Sequence, residues 1–241
     1  GKLTVASKGF HADFSTISAD DFPELEISEE QTSSLIGASV LKRILIKTSF
    51  SMASQDVRYY LNGLLLEFDN NEIKGVATDG HRLALASSKL ENKEGLQLKQ
   101  ILPRKAVLEL SKLLPQSEEA VELNVGASYF SVKSGNLQFS TKLIDGKYPD
   151  YKKVFPSGDP SSLKIEKEKL QLALSRASVL SNEKYRGVRF ALSEGSLKLT
   201  ANNPEQESAE EVLDVDYTGV PLEIGFNIGY LLDVLGSLET E

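Results

Sequence analysis

GLLLEFDNNEIKGVATDG, residues 63–80, decides the fold, because the chain writes it twice. GVRFALSEGSLKLTANNP, residues 187–204, follows the same course without a gap, and Gly63 and Gly187 stand 124 residues apart. Each copy runs from one apolar stretch through a short polar turn into a second, the pattern of a β-hairpin. Three further echoes keep the same order. LKRILIKTSFS from Leu41 parallels LQLALSRASVL from Leu170, and FSTISADDFPEL from Phe14 parallels FSTKLIDGKYPDY from Phe139 with one inserted residue. ILPRKAVLELSKLL parallels IGFNIGYLLDVLGSL more weakly. Four echoes in one order and at nearly one spacing describe a repeated unit of about 125 residues, an ordinary domain size.

The same spacing divides the chain. Residues 1–32 read as the tail of a first copy, 33–155 as a complete second and 156–241 as a third that stops before its own Phe-Ser-Thr segment. The expectation is a fragment of a three-copy protein.

Within the second copy, residues 38–53 place Leu41, Ile44, Leu45 and Thr48 on one helical face and Lys42, Arg43 and Lys47 around the rest. YLNGLLLEFD and EIKGVATD read as strands across an Asp-Asn-Asn turn, with HRLALASSKL as a third. PRKAVLELSKLL starts a second helix at Pro103 and turns Val107, Leu110, Leu113 and Leu114 inward. VELNVGAS, YFSVKSG and NLQFSTKLI follow as strands, with turns at Gly126, Gly135 and Asp145-Gly146. The fold class expected is α+β: repeated units, each of two helices packed on antiparallel sheets.

Composition narrows the chemistry. The chain has 241 residues, 40% of them hydrophobic, enough for a sizeable core. It has no cysteine, which excludes disulfides and thiolate metal sites. No signal peptide and no apolar run of the ~18–20 residues a membrane span needs can be read, so a soluble, cytoplasmic protein is expected. The net charge of -8 argues against a uniformly attractive surface for nucleic acid. Acid is concentrated in 20–30 and 205–216, however, while 38–53 carries base and no acid. Each helix has a basic remainder: Lys42, Arg43 and Lys47, then Arg104, Lys105 and Lys112, then Lys167, Lys169 and Arg176. Either these are solvated faces, or successive copies combine them into one surface for phosphates.

VATDGHRLALA, residues 76–86, holds one of two histidines beside Asp79 and Arg82. In the third copy, Asn202-Asn203-Pro204-Glu205 takes the place of Thr78-Asp79-Gly80-His81. The turn is repeated and its titratable chemistry is not. A hydrolytic site on Asp79 and His81 is therefore the weakest of the readings. Two histidines with no cysteine give no zinc ligand set of the usual spacing, and no glycine-rich phosphate loop occurs, so no cofactor is expected.

TDGHRLA, QDVRYYLNG, SNEKYRGVR, TANNPEQE and YPDYKKV, taken together, resemble the bacterial DNA polymerase III β-subunit, or sliding-clamp, family. The resemblance implies three similar domains per subunit, joined head to tail in a homodimeric ring around duplex DNA, helices lining the hole and sheets outside. It implies no catalysis and no cofactor. It implies a pocket between the second and third domains for short, hydrophobic-ended peptides of the polymerase III core, the clamp loader and repair polymerases. The pocket walls would be Arg58, Leu61, Thr78, Gly80, His81, Arg82 and Leu83, with Pro149, Lys153 and Val154 from the connector. Arg58 and Arg82 are expected to offer free guanidinium groups to the peptide. The family usually has arginine where this chain has Lys153. DNA-facing residues would be Lys42, Arg43, Lys47, Arg104 and Lys105, with Gln55, Tyr59 and Tyr60 reaching the backbone; the two tyrosines read equally as cross-strand packing. The ring interface would use Phe14 against Val179 and Leu180, with Glu205, Glu207 and Glu211 facing basic residues. A truncated clamp that binds peptides but closes no ring is the alternative.

Overall fold

The computed structural model describes residues 1–22, 32–90, 96–157 and 162–240. The Pro-Glu-Leu end of the first Phe-Ser-Thr echo, residues 23–25, lies outside the described residues. A hairpin of β1 (Lys2–Ser7) and β2 (Phe10–Ser15) comes first. Then follow β3 (Thr32–Gly37), α1 (Ala38–Ser49), β4 (Gly63–Asn70), β5 (Glu72–Thr78), β6 (Leu83–Lys89), β7 (Leu96–Pro103), α2 (Arg104–Leu113), β8 (Ala120–Val125), β9 (Tyr129–Ser134) and β10 (Leu137–Lys142). The last stretch holds α3 (Lys167–Ser178), β11 (Gly187–Ser193), β12 (Ser196–Asn202), β13 (Ser208–Asp214), β14 (Leu222–Asn227) and α4 (Ile228–Ser237). The strand pairings of the described residues are antiparallel, and the fold is α+β.

The sequence echo becomes a topological one. One sheet has the order β6-β5-β4-β7 and another β13-β12-β11-β14, so each strand of the first has its counterpart in the second. Helix α1 precedes the first sheet as α3 precedes the second, and α2 leaves β7 as α4 leaves β14. The order β10-β9-β8-β3 forms a further sheet in the middle of the chain.

Helix α1 buries Ala38, Leu41, Ile44, Leu45 and Thr48. Gly75 lets it come close to β5: a Cβ there would lie 2.4 Å from Cγ2 of Ile44. The helix ends at Ser49, short of residue 53. The Ser51 and Met52 amides bond Thr48 and Ser49 at three-residue spacing, which tightens the last turn and stops it. Tyr59–Leu61 is a turn of 3-10 helix where a strand was expected, because Asn62 folds its side chain back onto both backbone groups of Asp56. Helix α2 turns Ala106, Val107, Leu110 and the following Leu114 inward, while Leu113 is 46% exposed, off the stripe that 107, 110 and 114 define.

The central sheet is covered on both faces, which explains why GLLLEF scarcely alternates. Leu64, Leu66 and Phe68 face the helices, whereas Leu65 joins Val76, Ile101, Tyr148 and Tyr151 in a second cluster under the connector after β10. In the later sheet GVRFALS alternates plainly: Val188, Phe190 and Leu192 are buried and Arg189 is exposed.

Candidate functional site

The turn after β5 is where the repeated hairpin acquires a different use. Oδ1 of Asp79 accepts the amides of His81 at 2.9 Å and Arg82 at 3.1 Å. Thr78 Oγ1 accepts the Gly80 amide and donates to the Arg82 carbonyl at 2.6 Å. Gly80 has φ +90°, and a Cβ on it would stand 3.0 Å from the Arg58 guanidinium. In the later copy Asn203 takes the part of Asp79, its Oδ1 accepting the Glu207 amide at 2.9 Å. Both turns are closed by the side chain of their Asx residue.

That arrangement leaves little for acid–base work. The Asp79 carboxylate is committed to backbone amides and to Nε of Arg82 at 3.0 Å. The His81 ring lies stacked against Tyr230 of α4, centroids 6.5 Å apart. Among the described residues, no group of histidines and carboxylates could hold a metal ion.

Around this turn opens a cavity of about 410 Å³. Its walls come from three places: Arg58, Tyr60 and Leu61 in the 3-10 turn; Thr78 and Gly80 to Leu83 after β5; Pro149, Asp150, Tyr151 and Val154 in the connector. Leu61 is 2% exposed and joins Leu83 in the cluster under the connector, which makes an apolar floor. Val154 stands at the rim, 65% exposed. The buried Tyr148 hydroxyl accepts the Thr78 amide at 3.1 Å, and burial pushes its pKa up to about 12, so it stays protonated. Of the expected wall residues, Lys153 alone lies elsewhere: its ammonium pairs with Asp150 at 3.2 Å, outside the cavity lining.

The guanidinium groups are not free as expected. Arg58 holds Asp56 through Nε at 3.0 Å and Nη2 at 2.8 Å and reaches the Asp79 carbonyl at 3.3 Å. The Arg58 guanidinium and its backbone amide hold the Asp56 carboxyl down at about 2. Arg82 reaches three ways, to Asp79, to Oδ2 of Asp233 at 2.5 Å and to the Phe50 carbonyl at 2.6 Å, and it covers the Tyr230 ring at 4.3 Å. An arginine so placed builds the wall and offers its apolar stem, and Tyr230 and Asp233 extend that wall. Sequence reading missed both, along with Tyr60, Asp150 and Tyr151 in the lining. Tyr230 and Asp233 sit in the weakest of the four echoes, and nothing within YPDYKKV marks its Asp150 and Tyr151 as lining a cavity.

Two family models match the chain, DNA polymerase III beta subunit, central domain, over residues 35–150 and the C-terminal domain of the same subunit over 152–241. The chain belongs to the DNA polymerase III β-subunit family. It is 47% identical over 240 residues to the beta sliding clamp of Pseudomonas putida and 44% identical over 243 to that of Escherichia coli K12. Each comparison covers 100% of this chain and 65% of the relative, so the chain spans about two-thirds of the curated relatives it matches. A Pseudomonas aeruginosa DNA polymerase III β subunit superposes with a TM-score of 0.93 at 46% identity, covering 100% of this chain and 66% of that one. A sliding clamp from the same organism, crystallised with griselimycin, gives 0.92 at 46% identity over 100% and 65%.

The helices carry the expected basic residues, several already engaged. Lys42 donates to the Leu114 carbonyl at 2.8 Å, and Arg43 to Ser87. Lys47 crosses to α4, where it meets the Ser237 carbonyl and Glu239 at 3.0 Å. Arg104 donates to the Met52 carbonyl at 3.0 Å, while Lys105 points to solvent. Gln55 is exposed at φ 59° and Tyr59 is 57% exposed, whereas Tyr60 lines the cavity. Elsewhere, Phe14 on β2 and Val179 after α3 are 52% and 78% exposed, and Leu180 is half-buried. Glu211 is paired with Arg176, Glu207 with Asn203, and Glu205 is exposed. Among the described residues no helix is long and apolar enough to cross a membrane.

Proposed function

We propose that this chain is part of a non-catalytic sliding clamp. The whole subunit would encircle duplex DNA as a homodimeric ring and tether the polymerase III core, the clamp loader and repair polymerases through their linear peptides. The observation that carries the tethering half is the cavity around Gly80, with its apolar floor of Leu61 and Leu83 and polar rim. A peptide with one or two aliphatic or aromatic side chains needs that combination. Loss of an apolar anchor in such a site costs about 2 kcal/mol. Leu83→Ala should therefore weaken a labelled peptide with a Leu-Phe end at least about tenfold in fluorescence anisotropy. Unchanged affinity places the docking site elsewhere.

The topological half rests on family membership and on the basic helices. Lys42, Arg43, Lys47, Arg104, Lys105, Gln55, Tyr59 and Tyr60 are the proposed DNA-facing residues, with few bonds to bases and hence weak, salt-sensitive and sequence-blind binding. The proposed domain division is 1–32, 33–155 and 156–241, and Phe14, Val179, Leu180, Glu205, Glu207 and Glu211 are the proposed ring contacts. The exposure of Phe14 and Val179 also suits the second reading, a peptide-binding segment that closes no ring. Retention on nicked circular but not linearised DNA separates the two.

A further inference from the structure

Beside the cavity, on the other flank of the connector, lies a second cleft of about 610 Å³. Pro149, Asp150 and Tyr151 line both, so the two share one wall, the turn of 3-10 helix in the connector. The second is rich in lysine. Lys99, Lys147, Lys152 and Lys153 line it, above Leu65 and Ile101. Its carboxylates are already matched: Glu67 pairs with Lys99 at 3.1 Å and Asp150 with Lys153 at 3.2 Å. Lys147 and Lys152 are exposed and make no ion pair or hydrogen bond among the described residues. Two ammonium groups without a direct partner, of which Lys152 also helps from a distance to hold Glu67 ionised, are a local reversal of sign on a chain of net charge -8.

We infer that this cleft is a second docking subsite, which takes an acidic flank of the same linear peptide whose apolar residues fill the cavity. The inference rests on the peptide reading above. Adjacency supplies the path, since a chain leaving the cavity over Pro149 meets the cleft on the far side of the same connector turn. Charge supplies the selectivity: carboxylates of the flank meet Lys147 and Lys152, while a basic flank would meet them with like charge. Exposed pairs of this kind contribute modestly and are screened by salt. The subsite therefore ranks partners and leaves the anchoring to the cavity.

The test uses the 241-residue chain and three labelled peptides that share a Leu-Phe anchor and differ in flanks of glutamate, serine or lysine. Wild type should bind the glutamate-flanked peptide about threefold tighter than the serine-flanked one at low salt, with the lysine-flanked peptide weakest. Lys147→Gln with Lys152→Gln should remove that ranking and leave the serine-flanked affinity unchanged. Leu83→Ala should weaken all three alike. Flank-independent binding by wild type, or a ranking that survives the double lysine variant, overturns the inference alone. No binding by any peptide overturns the cavity reading and this inference with it.

Discussion

The hydroxyl of Tyr151 donates a 2.8 Å hydrogen bond to Oε2 of Glu67, a carboxylate in the middle of β4 that is 2% exposed. Burial works to raise the Glu67 pKa, but the bonds from Tyr151 and Lys99 outweigh it and hold the group ionised. Burial and the same carboxylate push the Tyr151 hydroxyl well above the usual phenol range. The connector is thus pinned to the sheet by one short bond to a charge, which is worth about 2 kcal/mol. Tyr151→Phe should lower the urea midpoint by that amount. Lys99 is 62% exposed, so Lys99→Met should cost less than half as much. Equal losses would mean that the ion pair, not the phenol, holds the connector.

Arg82 joins the β5–β6 turn, the end of α1 and α4 through one side chain. A lysine has a single ammonium and cannot reach Asp79, Asp233 and Phe50 together. Arg82→Lys should cost about 2 kcal/mol, discounted because Asp233 is 47% exposed. Amide exchange should quicken in α4, Ile228–Ser237, more than in α3. Uniform protection across α4 would show that the helix docks without this arginine.

Gly80 is tested by Gly80→Ala. A left-handed φ of +90° strains any side chain by about 1–2 kcal/mol, and the new methyl would press on the Arg58 guanidinium at 3.0 Å. The variant should lose stability by that amount in denaturant unfolding. Its Arg58 should also release the Asp79 carbonyl. A stability equal to wild type would show that the turn has another conformation within reach.

Asp56 makes a prediction in pH. Its folded pKa lies at about 2, below the ordinary 3.8, so it is a depressed acid. The stability it contributes is complete above pH 3.8 and is lost as pH falls through about 2. A carboxyl-carbon NMR titration should place its midpoint near 2, and Arg58→Gln should raise it toward 3.8. A midpoint indifferent to residue 58 would locate the cause elsewhere.

The repeat was legible because hairpins and amphipathic helices carry their own periods, so β4–β5 and β11–β12 could be matched residue for residue. The cavity was legible in outline from its likeness to a family, and Leu61, Thr78, Gly80 and Leu83 do converge. What one residue's neighbours do across space was not. Nothing in Arg58 or Arg82 as letters says that Asp56 and Asp233 already hold them, and nothing in YPDY says that Tyr151 reaches a buried carboxylate. Helix ends failed for a local reason: the switch to three-residue bonds after Thr48 leaves no mark in composition.

In both hairpin turns one side chain, Asp79 or Asn203, fastens the loop by accepting amides that lie beyond it. Gly80 keeps its left-handed φ for the backbone, but of residue 81 the fastening uses the amide alone and leaves the side chain without that duty. At that position the two copies can differ without unfolding their strands, and His81 in one and Glu205 in the other occupy that freedom. A self-fastened turn is in this sense a socket: the fold supplies the fitting, and each copy is at liberty to mount a different tool.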